Sequence, residues 1–184
     1  MPLKTPICDF GQAAKSFELK STNNEMVKLN DIKGENGTLV MFICNHCPYV
    51  IAVIKDIIQD CKHLEKLGIK AVAICSNDSI NYPEDSFDKM VRFHEDHNFN
   101  FPYLLDETQV IAKNYGAVCT PDFFGYNKNL ELQYRGRIRE LKNLKPVRTG
   151  DSDLFIAMKQ IAETSKGPET QIPSAGCSIK WLVN

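Results

Sequence analysis

The segment MFICNHCPYVIAVIKDII, residues 41–58, places Cys44 and Cys47 between two apolar stretches of different periodicity. The run TLVMFIC, which ends at Cys44, is continuous in apolar and β-branched residues and predicts a strand buried on both faces. From Pro48 the apolar residues recur at helical spacing as far as Gly68, where a glycine ends the predicted helix. Both cysteines are therefore expected between the end of a buried strand and the first turn of a helix.

The rest of the chain alternates strands with helices. A second buried strand, IKAVAICS, follows the first helix, so we expect a right-handed parallel crossover. Further helices are predicted around residues 87–94, from a cap at Asp106 to a stop at Gly116, and around residues 154–162. Hairpins are predicted in SFELKSTNNEMVKL, near the N-terminus, and after Pro121. This order of elements predicts an α/β protein.

Composition limits the classes of protein that fit. With 184 residues, 43% of them hydrophobic, the chain is expected to form a single domain over residues 1–165, with an extended polar tail, residues 166–184, packed on it. The net charge is −1 and the basic residues are scattered, so neither a nucleic acid nor a membrane is expected as a partner. No secretion signal or membrane-spanning run is visible, which favours a cytoplasmic location. No cofactor is predicted.

The position of the dithiol gives it a chemical reason to react. Unpaired amide groups and the positive end of the helix dipole stabilise a thiolate, and a protonated His46 would add positive charge beside either sulfur. A cysteine of pKa about 8.5 is roughly 3% ionised at pH 7, whereas one of pKa about 7 is half ionised. Seven cysteines, an odd number, predict free thiols and at most transient disulfides.

Two other interpretations of the Cys-x-x-Cys pair stay open. Zinc would need a second pair of ligands, and only His94 and His97 have a suitable spacing. Two buried core thiols are the other alternative, although the polar turn Asn45-His46 argues against it. We therefore expect no metal.

The strand, the Cys-x-x-Cys turn and the helix, followed far downstream by GAVCTPDFF, resemble the thioredoxin fold, a central mixed β-sheet flanked by helices. The resemblance implies a cis peptide bond at Pro121, with Thr120, Pro121 and Cys119 at the substrate-binding site. Together, NHCPYV, GAVCTPDFF, YRGRI and GCSIKW resemble a peroxiredoxin-like group, related to alkyl hydroperoxide reductases and thiol-specific antioxidant proteins, that carries a Cys-x-x-Cys motif. The N-terminal hairpin is an extension of the fold that this group shares.

Two departures from the peroxiredoxin pattern bear on activity. The threonine that precedes a peroxidatic cysteine is replaced by Cys44, and Thr120-Pro121 stands where the activating arginine would be. Thiol-disulfide exchange in redox homeostasis or antioxidant defence is therefore the expected function, with a protein or small-molecule disulfide or peroxide as substrate and a thiol as electron donor. A thiol peroxidase with Cys47 as peroxidatic residue is the alternative, and a redox-inactive or zinc-holding module is the rival of a different class. A monomer or a homodimer fits.

The resemblance also implies roles for single residues. Thioredoxins attack with the first cysteine, which makes Cys44 the nucleophile and Cys47 the resolving thiol, whereas peroxiredoxins imply the reverse order. The buried acid of thioredoxins would fall near Thr38, which leaves His46 as the local acid or base. His46 also implies a couple more oxidising than thioredoxin.

Two cysteines and three arginines outside the motif remain to be assigned. Cys177 is either a resolving thiol that reaches back from the tail or an incidental exposed one. Cys119 is either a third redox thiol or a small residue that lines the site. The alternating arginines at positions 135, 137 and 139 could bind an anionic substrate or form a salt bridge, but a solvated face is the predicted arrangement.

Overall fold

The computed structural model describes residues 1–183, which form twelve strands and four α-helices. The strands are β1 (Leu3–Lys4), β2 (Glu18–Ser21), β3 (Met26–Lys28), β4 (Gly37–Phe42), β5 (Ile69–Cys75), β6 (Tyr103–Leu105), β7 (Cys119–Thr120), β8 (Asp122–Asn127), β9 (Leu132–Tyr134), β10 (Leu141–Lys142), β11 (Lys145–Pro146) and β12 (Ala175–Ser178). The helices are α1 (Pro48–Glu65), α2 (Phe87–His97), α3 (Val110–Tyr115) and α4 (Asp153–Thr164), with short 3₁₀ turns at Leu29–Ile32 and Pro83–Asp85.

The central sheet has seven strands in the order β3-β2-β6-β5-β4-β8-β9. β4, β5 and β6 are parallel, while β8 pairs with β4 in the antiparallel sense. The β4–α1–β5 unit is the predicted parallel crossover, and β2 with β3 is the predicted N-terminal hairpin. The prediction of a mixed sheet flanked by helices is confirmed.

Alternate residues of β4 supply two separate cores. Leu39 and Met41 pack with α1 and α4 in one cluster, whereas Val40 and Phe42 pack with α3 and the N-terminal hairpin in the other. Because helices or loops cover both faces, every position of β4 is buried, as its continuous apolar sequence predicts. The strand that leads to the dithiol is therefore fixed from both sides.

Helix α3 differs from its prediction at one end. It begins at Val110, not directly after Asp106, and it ends at Gly116 with the predicted left-handed residue, φ 65°. The Asp106 carboxylate still caps it, because its two oxygens accept from the amides of Ile111 (3.3 Å) and Ala112 (2.9 Å). The cap acts across an intervening turn that the residue pattern does not reveal.

The tail contains a strand that the sequence did not predict. β12 lies in the middle of a small antiparallel sheet, between β1 and β7. It therefore joins the N-terminal residues to the segment around Pro121. Over the described part of the chain, no helix is both long and apolar enough to cross a membrane.

Candidate active site

Both cysteines of the motif lie where the sequence predicts them, between β4 and α1. Cys47 is the N-cap of α1, and its carbonyl oxygen accepts from the amides of Val50 and Ile51, both at 3.0 Å. The side chains are buried, with 1% of Cys44 and 0% of Cys47 exposed. The dithiol is thus held at a helix N-terminus and covered by protein.

The cover comes from the segment around Thr120. The Thr120–Pro121 peptide bond is cis. The Thr120 hydroxyl lies 3.4 Å from Cys44 Sγ, and the Thr120 carbonyl oxygen accepts from Cys47 Sγ at 3.2 Å. Cys119 is buried beside them, its thiol donates to the Pro121 carbonyl oxygen at 3.7 Å, and burial raises its pKa. The structure therefore brings the three predicted substrate-site residues against the dithiol.

The two sulfurs of the motif have opposite electrostatics. The neighbouring Cys44 thiol lowers the Cys47 pKa against the opposing effect of burial, and Cys177 and Thr120 add to this lowering. The hydrogen bond to Cys47, burial and the charge of Asp85 raise the Cys44 pKa. The donation from Cys47 Sγ to the Thr120 carbonyl oxygen favours the thiol and opposes this lowering. The pKa shifts favour a thiolate on Cys47 over one on Cys44, whereas the thioredoxin resemblance implies the opposite order.

Cys177 lies over the dithiol. β12 pairs antiparallel with β7, with Cys177 opposite Thr120 and Ser178 opposite Cys119. Cys177 is half-buried, and burial and the neighbouring Cys47 raise its pKa to about 11. The tail thiol that the sequence left unassigned is thus the third member of a cluster with Cys44 and Cys47.

The sequence missed an acidic residue of the site, Asp85. It is fully buried at the end of the 3₁₀ turn after β5, and its Oδ2 lies 2.7 Å from His46 Nδ1. This contact is an ion pair when the imidazole is protonated, although it is not aligned as a hydrogen bond. Polar atoms of Cys44, His46 and Asp85 all lie within 4.8 Å of one another. A buried carboxylate therefore accompanies the predicted His46, but it comes from the 3₁₀ turn after β5 and not from the position of Thr38 in β4.

Asp85 is held by donors of its own. The Asn45 amide donates to its Oδ1 (2.8 Å) and the Asn77 side chain to its Oδ2 (2.7 Å), while Tyr103 fixes the Asn45 side chain at 2.9 Å. The His46 ring stacks on Tyr82 with a centroid distance of 6.0 Å. These contacts keep the carboxylate and the imidazole beside Cys44.

The thiol, imidazole and carboxylate of this cluster are also donors that zinc accepts. Hydrogen bonds from protein groups already satisfy both oxygens of Asp85, however, so the cluster has an explanation without a metal. The other histidines weighed for zinc are engaged elsewhere: His94 contacts Thr22 Oγ1 at 2.6 Å, and His97 contacts the Phe93 carbonyl at 3.0 Å.

The arginine-rich segment forms salt bridges, which is one of the alternatives, and the prediction of a solvated face is wrong for Arg135 and Arg139. Arg135 is buried in an ion pair with Asp122 at 2.9 Å, and its guanidinium lies 4.5 Å from the centroid of the Phe124 ring. Arg139 is also buried and pairs with Asp56. Because Asp122 directly follows Pro121, the Arg135 ion pair anchors the segment that covers the dithiol.

Comparisons with known proteins place this geometry in context. The model of the AhpC/TSA family matches residues 10–141. Peroxiredoxin Bcp of Bacillus subtilis is 26% identical over 128 residues, which is 70% of this chain and 73% of that protein. The crystal structure of an uncharacterized conserved protein from Geobacillus kaustophilus is 36% identical, with a TM-score of 0.95, and covers 100% of this chain and 98% of that one.

More distant structures agree on the fold. A thiol:disulfide interchange protein of the thioredoxin family from Chlorobium tepidum has a TM-score of 0.57 at 17% identity, over 68% of this chain and 84% of that one. At this identity the likeness concerns the fold alone. The predicted thioredoxin fold is confirmed.

Proposed function

Because the chain belongs to the AhpC/TSA family, we propose that this oxidoreductase carries out thiol-disulfide exchange through Cys44 and Cys47, in redox homeostasis or antioxidant defence. The observation that carries the proposal is the placement of both cysteines at the start of α1 and against Thr120, with opposite shifts of their two pKa values. This asymmetry provides one thiolate for attack and one thiol for resolution. Two cysteines that only fill a hydrophobic core would not require such a difference between their pKa values.

In the proposed reaction the Cys47 thiolate attacks one sulfur of a disulfide. A Cys47 mixed disulfide forms, and the first substrate thiolate leaves and takes up a proton. Cys44 then loses its proton toward the His46–Asp85 pair, whose polar atoms lie within 4.8 Å, and attacks the Cys47 sulfur. The second substrate thiol is released, and two electrons have moved from the dithiol to the substrate. A thiol donor restores the reduced state.

The surroundings of this reaction belong to the same proposal. Cys119, Thr120 and Pro121 form the wall on which the substrate lies, which the contacts of Thr120 with both sulfurs and the bond between Cys119 and Pro121 support. The stabilised Cys47 thiolate favours the reduced form and thus a couple more oxidising than thioredoxin. A cytoplasmic location fits seven cysteines that are all unpaired.

Disulfide mapping tests the proposal. The reduced protein is treated with one equivalent of a mild oxidant and digested under acidic conditions, and the bonded cysteine pairs are identified by mass. We expect a Cys44–Cys47 disulfide that a reductant reverses. Cys44→Ser should stop at a Cys47 adduct, while Cys61→Ala, a change at a buried thiol near the C-terminal end of α1, should leave the disulfide unchanged. Loss of metal on thiol modification, with no disulfide formed, would instead identify a zinc-holding module.

A thiol peroxidase is the second candidate, and the Cys47 thiolate beside Cys177 favours it. A hydroperoxide would oxidise Cys47 to a sulfenic acid, which Cys44 or Cys177 would resolve with release of water. The arginine nearest to Pro121 in the sequence does not supply the missing activating group, because Arg135 is bound to Asp122 and to the Gly116 carbonyl oxygen. Peroxide consumption that Cys47→Ser abolishes, with a Cys47–Cys177 disulfide as product, would favour this candidate over simple exchange.

A further inference from the structure

We infer that this protein acts on low-molecular-weight disulfides and excludes protein disulfides, because its own strand β12 fills the backbone edge at which an extended polypeptide would pair. The inference rests on the proposed function and deepens it by naming the substrate class. It is independent of which cysteine attacks first. Its basis is the position of residues 174–182 relative to the dithiol.

The occupied edge is β7, the strand directly before the cis bond. Cys177 lies opposite Thr120 and Ser178 opposite Cys119, in antiparallel pairing. The two backbones are so close that a Cβ built on Gly176 would lie 2.0 Å from the Thr120 carbonyl oxygen. Only glycine permits this approach without a backbone shift. The edge beside the dithiol is therefore filled by a strand that fits it closely.

The start of β12 is anchored on both sides. The Ser174 hydroxyl donates to the Pro121 carbonyl oxygen at 2.8 Å, and the Thr5 amide donates to the Ser174 carbonyl oxygen at 2.9 Å. The other edge of β12 pairs with β1. An incoming peptide thus finds neither β7 nor the outer edge of β12 free.

The end of β12 is anchored as well. The Ile179 amide donates to the Val118 carbonyl oxygen at 3.2 Å, and the Ile179 side chain is buried in the second core cluster. The Lys180 amide donates to Asn77 Oδ1 at 2.9 Å, and its carbonyl oxygen accepts from the Asp78 amide at 2.8 Å. To use β7, a polypeptide would have to displace the whole segment from Ser174 to Lys180.

A small molecule does not need to pair with β7. A cavity of about 560 Å³ lies beside the first turn of α1 and the cis bond, and its lining includes Tyr49, Pro121, Ser174 and Ala175. This volume suits a small organic ligand. In the proposed path the half-buried Cys177 side chain, a neighbour of Cys47, rotates aside while β12 stays in place, a motion much faster than strand separation. A low-molecular-weight disulfide then reacts first with Cys47, to give the mixed disulfide, and Cys44 resolves this intermediate, so that the substrate leaves as two thiols.

The test compares two substrates in a single turnover. The reduced protein, freed of reductant, is mixed with bis(2-hydroxyethyl) disulfide or with two linear ten-residue peptides joined by a disulfide, and formation of the Cys44–Cys47 bond is followed by mass. We expect the small disulfide to react about 100-fold faster, because the peptide must wait for local opening of β12.

A matched pair of variants isolates the strand. Gly176→Val pushes β12 from β7 and should reduce the preference for the small disulfide by about tenfold or more, through a gain on the peptide substrate. Gly167→Val is the control, because a Cβ there would meet the Gln133 carbonyl oxygen at 1.9 Å, an equally close approach that lies outside the dithiol site. It should leave the preference unchanged.

Each outcome decides the inference. Comparable rates for both substrates with the unmodified protein overturn it and leave the proposed function standing. Failure to oxidise with either substrate overturns the proposed function and this inference together. If Gly176→Val does not fold, amide hydrogen exchange of the unmodified protein decides: protection of residues 175–179 during turnover of the small disulfide supports the inference, and its loss overturns it.

Discussion

The ionisation of Cys47 makes a prediction that distinguishes it from the other cysteines of the same molecule. The alkylation rate of a thiol follows its thiolate fraction. For an ordinary cysteine of pKa about 8.5 this fraction falls more than 200-fold between pH 9 and pH 6, whereas Cys47, whose pKa the neighbouring Cys44 lowers to about 4, stays about 99% ionised even at pH 6. Since hydrogen-bond donors lower the Cys47 pKa, we expect its rate to be nearly constant over this range. Burial limits the absolute rate but not the shape of the profile.

Alkylation with isotope-coded iodoacetamide, followed by peptide mass spectrometry, gives the rate of each cysteine separately. Cys8 is the internal control, because burial raises its pKa to about 11 and its rate should fall about tenfold for each pH unit. Cys44→Ala removes the strongest donor to the Cys47 thiolate. A hydrogen bond to a charged group contributes about 1.5–3 kcal/mol, so the midpoint of the Cys47 profile should rise by about one to two pH units. A flat profile for Cys44 together with a steep one for Cys47 would refute this assignment and restore the thioredoxin order.

Three further substitutions test the surroundings of the site. Burial raises the pKa of Asp60 to about 6 from 3.8, so the folded state binds this proton more tightly than the unfolded state, and stability falls as the pH rises from 4 to 6. Asp60→Asn should therefore raise the free energy of unfolding by about 2–3 kcal/mol at pH 7 and hardly at pH 4, in urea titrations at both values. Arg135→Ala leaves the Asp122 carboxylate buried without its charge partner and should lower the free energy of unfolding by about 3–5 kcal/mol. Adding Asp122→Asn should recover part of this loss. If it recovers none, the broken ion pair is not the cause of the loss. Asp85→Asn should slow resolution of the mixed disulfide by Cys44 about tenfold or more at pH 7 and leave the first attack unchanged, in single-turnover kinetics with a chromogenic disulfide; a faster second step would show that Asp85 acts only by raising the Cys44 pKa.

Local periodicity was enough to place the dithiol. β4 is buried on both faces and α1 has one apolar face, so the change of period between Cys44 and Pro48 marks the junction without knowledge of the rest of the fold. The Asp106 cap shows the limit of this approach. A carboxylate that caps a helix across an intervening turn leaves the start of the helix four residues from the residue that signals it.

The residues that the sequence missed are those brought in by distant segments. Asp85 lies in PED, which reads as an ordinary polar turn, and its burial depends on donors from Asn45 and Asn77 that only the folded chain supplies. The arginines of YRGRIRE alternate as on an exposed strand, but Arg135 is buried because Asp122 is buried opposite to it. In both cases burial depends on which residues lie opposite in the folded chain, and hydrophobic periodicity carries no information about that.

Strand β12 is another element that the sequence did not predict, and it is the one that we link to the choice of substrate. Nothing in PSAGCS has the alternation of a strand, because the residues of β12 are selected by what lies opposite to them: Gly176 by the Thr120 carbonyl oxygen, and Cys177 by Cys47. Gly176→Val and Arg135→Ala therefore make different predictions for substrate choice. In the molecules that remain folded, the first should alter the ratio of peptide to small-disulfide rates, and the second should leave that ratio unchanged.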